Sequence, residues 1–232
     1  MPIKILTIIT LYLCSYQVKA ADIVMADVTG IHGKQIGSYN GAVGGVFKAL
    51  KNYIETQTDL TFQPMNAPRA YRLFYINKVQ CVTPGSVDVN VEEKKIVGSK
   101  PLATVRWVVF SNSKPIVDNL KGFEDLLIGI PYDKDGMQNI LPEGNYNYVV
   151  NHDNYRLANQ LKRGRIDAMI MVWEEYQSLV RDYGEFKDFL NAHETPLYVQ
   201  KLGVICNQGP KSKYIIDTVN EFAKFEPSAL SN

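Results

Sequence analysis

The segment LKRGRIDAMIMV (residues 161–172) decides how the fold is interpreted. Gly164 is the kind of residue that closes a helix, and Asp153 upstream is suited to cap the start of that helix, which we predict over residues 155–163. The run that follows, residues 166–172, is almost continuously apolar, as is typical of a strand buried on both faces of a parallel sheet. A helix that leads directly into a buried strand predicts an α/β fold.

The chain before this segment repeats the alternation. Residues 22–26, 60–64 and 79–83 read as strands, the last closed by Pro84-Gly85. Between them, helical periodicity from Gly44 predicts about three turns, and Pro68 suits the first turn of a second helix. The order strand, helix, strand, helix, strand is the mark of a wound α/β sheet.

The rest of the chain supplies further strands and a terminal helix. Residues 105–111, 126–130 and 197–206 are extended in pattern, and residues 132–136 make a turn that opens a short helix. The last helix carries Ile215, Val219 and Phe222 at helical spacing before Pro227.

The N-terminus predicts export. Lys4 precedes the apolar run 5–13, and the small-residue step Val18-Lys19-Ala20 follows, so we interpret residues 1–20 as a signal peptide cleaved after Ala20. The run is shorter than the roughly 20 residues needed to span a bilayer. We therefore expect a periplasmic protein.

Composition excludes some classes of partner. The chain has 25 Lys and Arg against 24 Asp and Glu, so it lacks the excess of basic residues that nucleic acids or anionic membranes require. With 46% hydrophobic residues it can form a packed core. We expect a monomer without a nucleic-acid partner.

Two cysteines, Cys81 and Cys206, remain after processing. In an oxidising compartment they are candidates for a disulfide. The alternative is that both are buried free thiols at strand positions.

Several short motifs in a fixed order resemble one family. They are Ser99-Lys100-Pro101-Leu102, residues 107–111, Leu120-Lys121-Gly122, residues 128–130 and residues 161–168. Behind an export signal, this series resembles the periplasmic solute-binding proteins of family 3, receptors for amino-acid-type ABC transporters. The resemblance implies an α/β, two-lobed, periplasmic-binding-protein-like fold of type 2 with two crossover hinge strands.

The resemblance also implies domain boundaries. Residues 100–107 and 197–202 would be the two crossings. Lobe 1 would comprise residues 21–105 and 198–232, and lobe 2 residues 106–197. A ligand would lie between the lobes, outside the carboxyl ends of the strands.

Two amino-acid-binding features of the family are missing. Its Thr-x-x-Arg segment, whose Arg pairs with a ligand carboxylate, is replaced by Thr83-Pro84-Gly85-Ser86. Its Asp at the end of the strand that begins Asp-Ala is replaced by Val172-Trp173, with Glu174 and Glu175 just beyond. The solute is therefore left open between an amino-acid-like compound and another small organic molecule.

Six residues are candidates for ligand contact, each with a structural alternative. Arg69 would bind a carboxylate or is a surface arginine, and Glu174 would bind a cation or is a solvated helix-start carboxylate. Tyr39 and Trp107 would stack on a ligand or pack in the core. Tyr132 and Asp133 would make a polar ligand contact near a helix start or cap that helix locally.

The sequence shows no catalytic constellation. His32, His152 and His193 have no partners at metal-ligand spacing, and no phosphate-loop or dinucleotide motif occurs, so we expect neither metal nor cofactor. The function predicted first is capture of a small polar solute for an ABC permease or a membrane sensor. The alternative is a dehydratase- or lyase-like periplasmic enzyme on the same scaffold, with Glu174 and Arg69 as the reacting pair.

Overall fold

The computed structural model describes residues 24–29, 42–58, 60–88, 95–112, 125–132, 137, 140–141, 146–193 and 195–225. The predicted signal peptide, Tyr39 and Asp133 lie outside these residues. The helices of the described part are α1 (Ala42–Gln57), α2 (Ala67–Tyr75), α3 (Asn154–Lys162), α4 (Trp173–Asp182) and α5 (Pro210–Phe225), with a 3-10 turn at Gly184–Phe186. The strands are β1 (Val24–Thr29), β2 (Thr61–Asn66), β3 (Cys81–Ser86), β4 (Ile96–Gly98), β5 (Ala103–Ser111), β6 (Leu127–Ile130), β7 (Asn147–Val150), β8 (Ala168–Val172), β9 (Asn191–Ala192) and β10 (Tyr198–Asn207).

The described strands form one sheet in the order β2-β1-β3-β10-β5-β8-β6-β7, with β4 beside β10 and β9 beside β5. Strands β1, β2 and β3 are mutually parallel, and so are β6, β7 and β8. The two long strands between these groups, β10 and β5, run antiparallel to their neighbours. The sheet therefore consists of two wound parallel groups joined by a pair of crossing strands.

The crossing pair has a continuous register. Ala103 lies opposite Leu202, and Trp107 lies opposite Tyr198. The predicted crossings, 100–107 and 197–202, contain these paired residues. The lobe boundaries drawn from the crossings stay a prediction.

The core is continuous across the crossing. The largest apolar cluster includes Met25 of β1, Trp107 of β5 and Ile130 of β6, so it joins both strand groups. A second cluster packs α3 and α4 on the opposite face of β5 and β8, and a third packs α2 against β1 and β3.

The structure confirms that Asp153 caps a helix and that Pro68 lies in a first helical turn, whereas the cap by Asn66 was not predicted. Asn66 accepts a hydrogen bond from the Arg69 backbone N–H (3.0 Å) at the start of α2, where Pro68 lies in the first turn. Asp153 accepts from the backbone N–H of Tyr155 (2.9 Å) at the start of α3. Each bond satisfies a donor that the helix itself leaves unpaired.

Three sequence interpretations differ from the structure. The prediction that Pro84-Gly85 closes β3 is wrong, since the strand continues to Ser86. Strand β1 pairs with β3 only as far as Thr83, so the missing N–H of Pro84 costs no ladder bond on that side. Strands β4 and β7 were not predicted. Strand β4 has only three residues, and β7 is only partly buried and lacks a clear alternation.

A disulfide joins Cys81 of β3 to Cys206 of β10, with the sulfurs 2.10 Å apart. Both residues are fully buried and lie opposite each other in the antiparallel register. The bridge closes a loop of 125 residues, so it constrains the unfolded chain strongly.

We predict that the double variant Cys81→Ala/Cys206→Ala is less stable than the natural protein by about 2–5 kcal/mol, because the unfolded chain regains loop entropy. Urea unfolding with and without a thiol reductant measures this difference. The reductant should destabilise the natural protein and leave the double variant unchanged. Identical unfolding curves for the natural protein in both conditions would contradict the bridge.

Gly164, just past the end of α3, has a φ of 65°, in the left-handed region where a side chain is strained. Gly45 lies inside α1, and a Cβ added there meets nothing within 4 Å. We predict that Gly164→Ala destabilises the protein by about 1 kcal/mol, whereas Gly45→Ala stabilises it by a similar amount through helix propensity. Urea unfolding of both variants measures whether the free energy of unfolding changes in opposite directions. A change in the same direction for both variants would contradict the assigned helix end.

Candidate functional site

The candidate site lies at the carboxyl ends of the parallel strands, on either side of the crossing pair. Tyr132 follows β6, His152 follows β7, and Glu174 follows β8. On the other strand group, Asp27 lies in β1 and Thr83 in β3, as register partners. Ligands of open α/β sheets bind at such edges.

Aromatic side chains line the edge of β6. The Tyr132 ring lies 6.3 Å from the Trp107 ring, edge to face, and 6.4 Å from the His152 imidazole. The Pro131 carbonyl accepts a hydrogen bond from Nδ1 of His152 at 2.6 Å, which places the proton on that nitrogen. The three rings therefore form a connected wall beside the crossing strands.

Trp107 is 4% exposed and belongs to the core. Its Nε1 donates to Oε1 of Gln200 on β10 at 2.9 Å, so the indole ties the crossing strands together. Ligand stacking on Trp107 stays a prediction, and the half-buried Tyr132 is the more accessible ring of the pair.

Glu174 lies in the first turn of α4, against the crossing strand β5. Burial raises the pKa of its carboxyl, while the backbone N–H groups of Glu174 and Arg106 and the Arg106 charge oppose that rise. Its Oε2 atom is buried without a hydrogen-bond partner. The Arg106 guanidinium itself lies 5.4 Å above the Trp173 ring. Glu174 is thus a desolvated acceptor at the edge of the crossing, as a ligand-binding carboxylate would be.

Glu175 is a functional candidate that the sequence analysis missed. Burial raises the pKa of its carboxyl to about 7, Asn154 opposes the rise by a hydrogen bond, and the Glu174 charge adds to it. The Asn154 amide Nδ2 donates to Oε2 of Glu175 at 2.8 Å. A Glu-Glu pair directly after a buried strand was the available signal, but the contact with Asn154, 21 residues away, is visible only in the fold.

The other strand group contains a partly buried ion pair. Lys51 of α1 lies 3.5 Å from Asp27, whose pKa is raised by burial and lowered by Lys51. Next to Asp27, the buried Thr83 hydroxyl has no hydrogen-bond partner in the described part of the chain. These polar groups face the α1 side of the sheet.

Arg69 is exposed at the start of α2, and its guanidinium forms no ion pair with the described residues. No hydrogen bond or ion pair joins it to Glu174 among the described residues, and the pairing of these two residues stays a prediction. The structure brings Trp107 and Tyr132 together and places Glu174 beside Arg106, which adjoins Trp107 in β5. Tyr39 and Asp133 lie outside the described residues.

A surface hollow of about 350 Å³ is lined by none of these residues. Its lining comes from the outer face of α3 and the residues that flank it, and none of the predicted site residues contributes. The lining residues are Asn151, Tyr155, Arg156, Asn159, Gln160, Arg163 and Arg165.

In the described residues, no group of three or more His, Cys, Asp or Glu is arranged to hold a metal ion. Among the same residues, no helix has both the length and the apolar character needed to cross a membrane.

The raised pKa of Glu175 predicts a pH-dependent cost of folding. When the pKa of an acid is higher in the folded than in the unfolded chain, the free energy of unfolding of the protein falls as pH rises between the two pKa values. For Glu175 this range runs from about 4.5 to about 7. We expect Glu175→Gln to stabilise the protein at pH 8 by about 2–3 kcal/mol and to change stability little at pH 4.5. Urea unfolding at the two pH values measures the difference.

Glu185→Gln is the matched control for this prediction. Glu185 is exposed and pairs with Lys162 at 2.7 Å on the surface, so its replacement should change stability by less than about 1 kcal/mol at either pH. An equal effect of Glu175→Gln at pH 4.5 and pH 8 would contradict a desolvated Glu175 carboxyl.

No protein-family model matches the chain, and no curated protein matches it by sequence. Solved structures do match it. The arginine-bound form of truncated ArgBP from T. maritima has a TM-score of 0.67 at 12% identity, covering 88% of this chain and 95% of that one. The substrate binding protein of an amino acid ABC transporter has a TM-score of 0.63 at 17% identity, covering 90% and 94%. A histidine kinase sensor domain with similarity to periplasmic binding proteins has a TM-score of 0.67 at 12% identity, covering 90% and 91%.

At such low identity the likeness shows the fold alone. It extends over about nine tenths of the chain. The predicted fold class is confirmed: the chain has a two-lobed, periplasmic-binding-protein-like α/β fold with two crossing strands.

Proposed function

We propose that this protein is an exported solute receptor, which holds a small polar solute between its two lobes and presents it to an ABC permease or a membrane sensor. The observation that carries the proposal is the desolvated, incompletely paired carboxylate of Glu174 beside the crossing strands of this fold. A buried acceptor without a donor is expensive in a folded protein unless a ligand completes it.

The structural neighbours support a binding role. One was solved with arginine bound, one is the substrate binding protein of an amino acid ABC transporter, and one is a sensor domain. They support transport and sensing alike, because the same fold serves partners of both kinds, an ABC permease and a membrane sensor.

The proposal includes the predicted compartment and boundaries. Residues 1–20 direct export to the periplasm, lobe 1 comprises residues 21–105 and 198–232, and lobe 2 comprises residues 106–197. The crossing strands act as the hinge, and closure about such a hinge is an ordinary domain motion. The ligand contacts proposed are Tyr39, Arg69, Trp107, Tyr132, Asp133 and Glu174.

The proposed receptor catalyses no reaction and acts as a monomer. The residues favour a solute that carries a positive charge. Lobe 2 supplies the carboxylate of Glu174, whereas Ser86, at the end of β3, stands where the family has its carboxylate-binding arginine. An amino-acid-like solute would depend on Arg69 to bind its carboxylate.

A ligand screen tests this function. We expect at least one class among amino acids, oligopeptides, polyamines and organic acids to raise the melting temperature of the purified protein. Binding to the folded state alone stabilises by about 2.7 kcal/mol at a hundredfold excess over Kd. X-ray scattering should then show a smaller radius of gyration with the ligand, because the lobes close.

Matched variants and product analysis separate the alternatives. Glu174→Gln should weaken binding, whereas the surface variant Glu185→Gln, with the same charge change, should bind as the natural protein does. A receptor returns its solute unchanged, as mass spectrometry of the incubated mixture would show. Conversion of the solute would favour the dehydratase- or lyase-like enzyme, and the absence of any thermal shift would contradict both functions.

A further inference from the structure

The surface hollow on the outer face of α3, which we call the α3 hollow, is lined by three arginines and by no acidic residue. Arg156 lies in the first turn of α3, and Arg163 and Arg165 follow its last residue. The volume of the hollow, about 350 Å³, lies within the usual range of about 300–1,000 Å³ for small-molecule sites. The three arginines therefore border one space of a size that a small molecule can occupy.

The end of α3 brings Arg165 back to the helix. Gly164 has a φ of 65°, and after this reversal the Arg165 backbone N–H donates to the Gln160 carbonyl at 2.9 Å. The Arg163 N–H donates to the Asn159 carbonyl at 3.1 Å. The backbones of both arginines are thereby fixed to Asn159 and Gln160, which also line the α3 hollow.

The uncharged side chains of the α3 hollow are also held in place. The Tyr155 ring packs against the Tyr183 ring, with the centroids 4.5 Å apart. The Asn159 amide Nδ2 donates to the Tyr155 carbonyl at 3.0 Å, and Oδ1 of Asn151 accepts from the Asp153 backbone N–H at 3.1 Å. Because these side chains are already ordered, a ligand would lose little binding free energy to ordering them.

The positive charge of the α3 hollow is not balanced within the described part of the chain. Arg156 pairs with Asp153, with Nε 3.5 Å from Oδ2. Arg163 and Arg165 are exposed and form no ion pair with the described residues. The whole chain has 25 Lys and Arg against 24 Asp and Glu, so this local excess of arginine does not follow from a basic composition.

We propose that the α3 hollow binds a small molecule with two or more carboxylate or phosphate groups. This site goes beyond the proposed receptor function, because none of its lining residues is among the ligand contacts proposed for the space between the lobes. The proposal therefore does not depend on which solute the lobes capture.

Carboxylate and phosphate groups match the chemistry of the α3 hollow. The planar guanidinium group donates two parallel N–H bonds to either of these groups, and arginine clusters commonly recognise acidic ligands in this way. Arg163 and Arg165 can each bind one anionic group, so a ligand with two such groups uses both arginines. A cation would add to the repulsion among the three guanidinium charges.

Titration calorimetry of the purified protein with two series of anions tests the proposal. The carboxylate series is acetate, succinate and citrate, and the phosphate series is orthophosphate and pyrophosphate, with glycerol as the uncharged control. We expect the affinity to rise along a series by about tenfold for each further group that an arginine binds. The affinity should fall as sodium chloride is raised from about 20 to about 300 mM, because exposed charges are screened. The series that binds more tightly identifies the anionic group.

Charge-neutralising variants locate the bound anion. Arg163→Gln and Arg165→Gln should each raise the Kd of citrate or pyrophosphate by about tenfold, because each removes one guanidinium group. Lys213→Gln is the matched control, since Lys213 is exposed on α5 and does not line the α3 hollow. This control has the same change of charge and should bind as the natural protein does. Thermal unfolding without anion checks that each variant is folded.

Arg69→Gln separates the α3 hollow from the space between the lobes. Arg69 is the arginine proposed to bind a solute carboxylate there, so its replacement should leave anion binding at the α3 hollow unchanged. Hydrogen–deuterium exchange of the natural protein locates the anion without any variant, and we expect protection within residues 151–165. Loss of anion binding in Arg69→Gln but not in Arg163→Gln would place the anion between the lobes and overturn the proposal.

Three further outcomes would also contradict the site. Binding of none of the anions overturns it, while the broader ligand screen still decides the receptor function. Equal affinity for acetate and citrate would contradict the use of two arginines. A hexaglutamate peptide that binds where none of the small anions does would overturn the small-molecule site in favour of docking by an acidic protein segment.

Discussion

The pairing of β5 with β10 is the constraint on which the rest of the structure depends. In the described chain, the sheet passes from one parallel group to the other through the register from Ala103–Leu202 to Trp107–Tyr198. The hydrogen bond between Trp107 and Gln200 and the core that surrounds Trp107 hold the two strands at this point. The two parallel groups are therefore connected within one sheet through this pair of strands.

Packing at this region differs in kind from packing in the core. The core clusters bury apolar side chains, whereas the start of α4 buries two carboxylates next to each other. Burial raises the pKa of both carboxyls, so the folded structure disfavours their ionised forms at neutral pH. Sites that violate the usual rules of stability in this way are commonly sites of function.

The sequence allowed much of the fold to be predicted, because its signals were local. Asn66 was not singled out, but Pro68 and Asp153 marked the starts of α2 and α3, and Gly164 marked the end of α3. The site was predicted less fully. Glu174 was identified from its place after a buried strand, but Glu175 and Asn154 were not, because their hydrogen bond joins two helices that are separate in sequence.

By itself, the sequence determined the wound α/β class and the helix limits set by capping residues, since each depends on the pattern of neighbouring residues. The crossing segments were implied by the family resemblance. Only the tertiary structure decided that Cys81 meets Cys206, that β3 continues through Pro84, and that the partly buried Glu175 accepts a hydrogen bond from Asn154. These features depend on which strands and helices become neighbours in space. Contacts between segments that are distant in sequence produce no periodic pattern of residues from which they could be predicted.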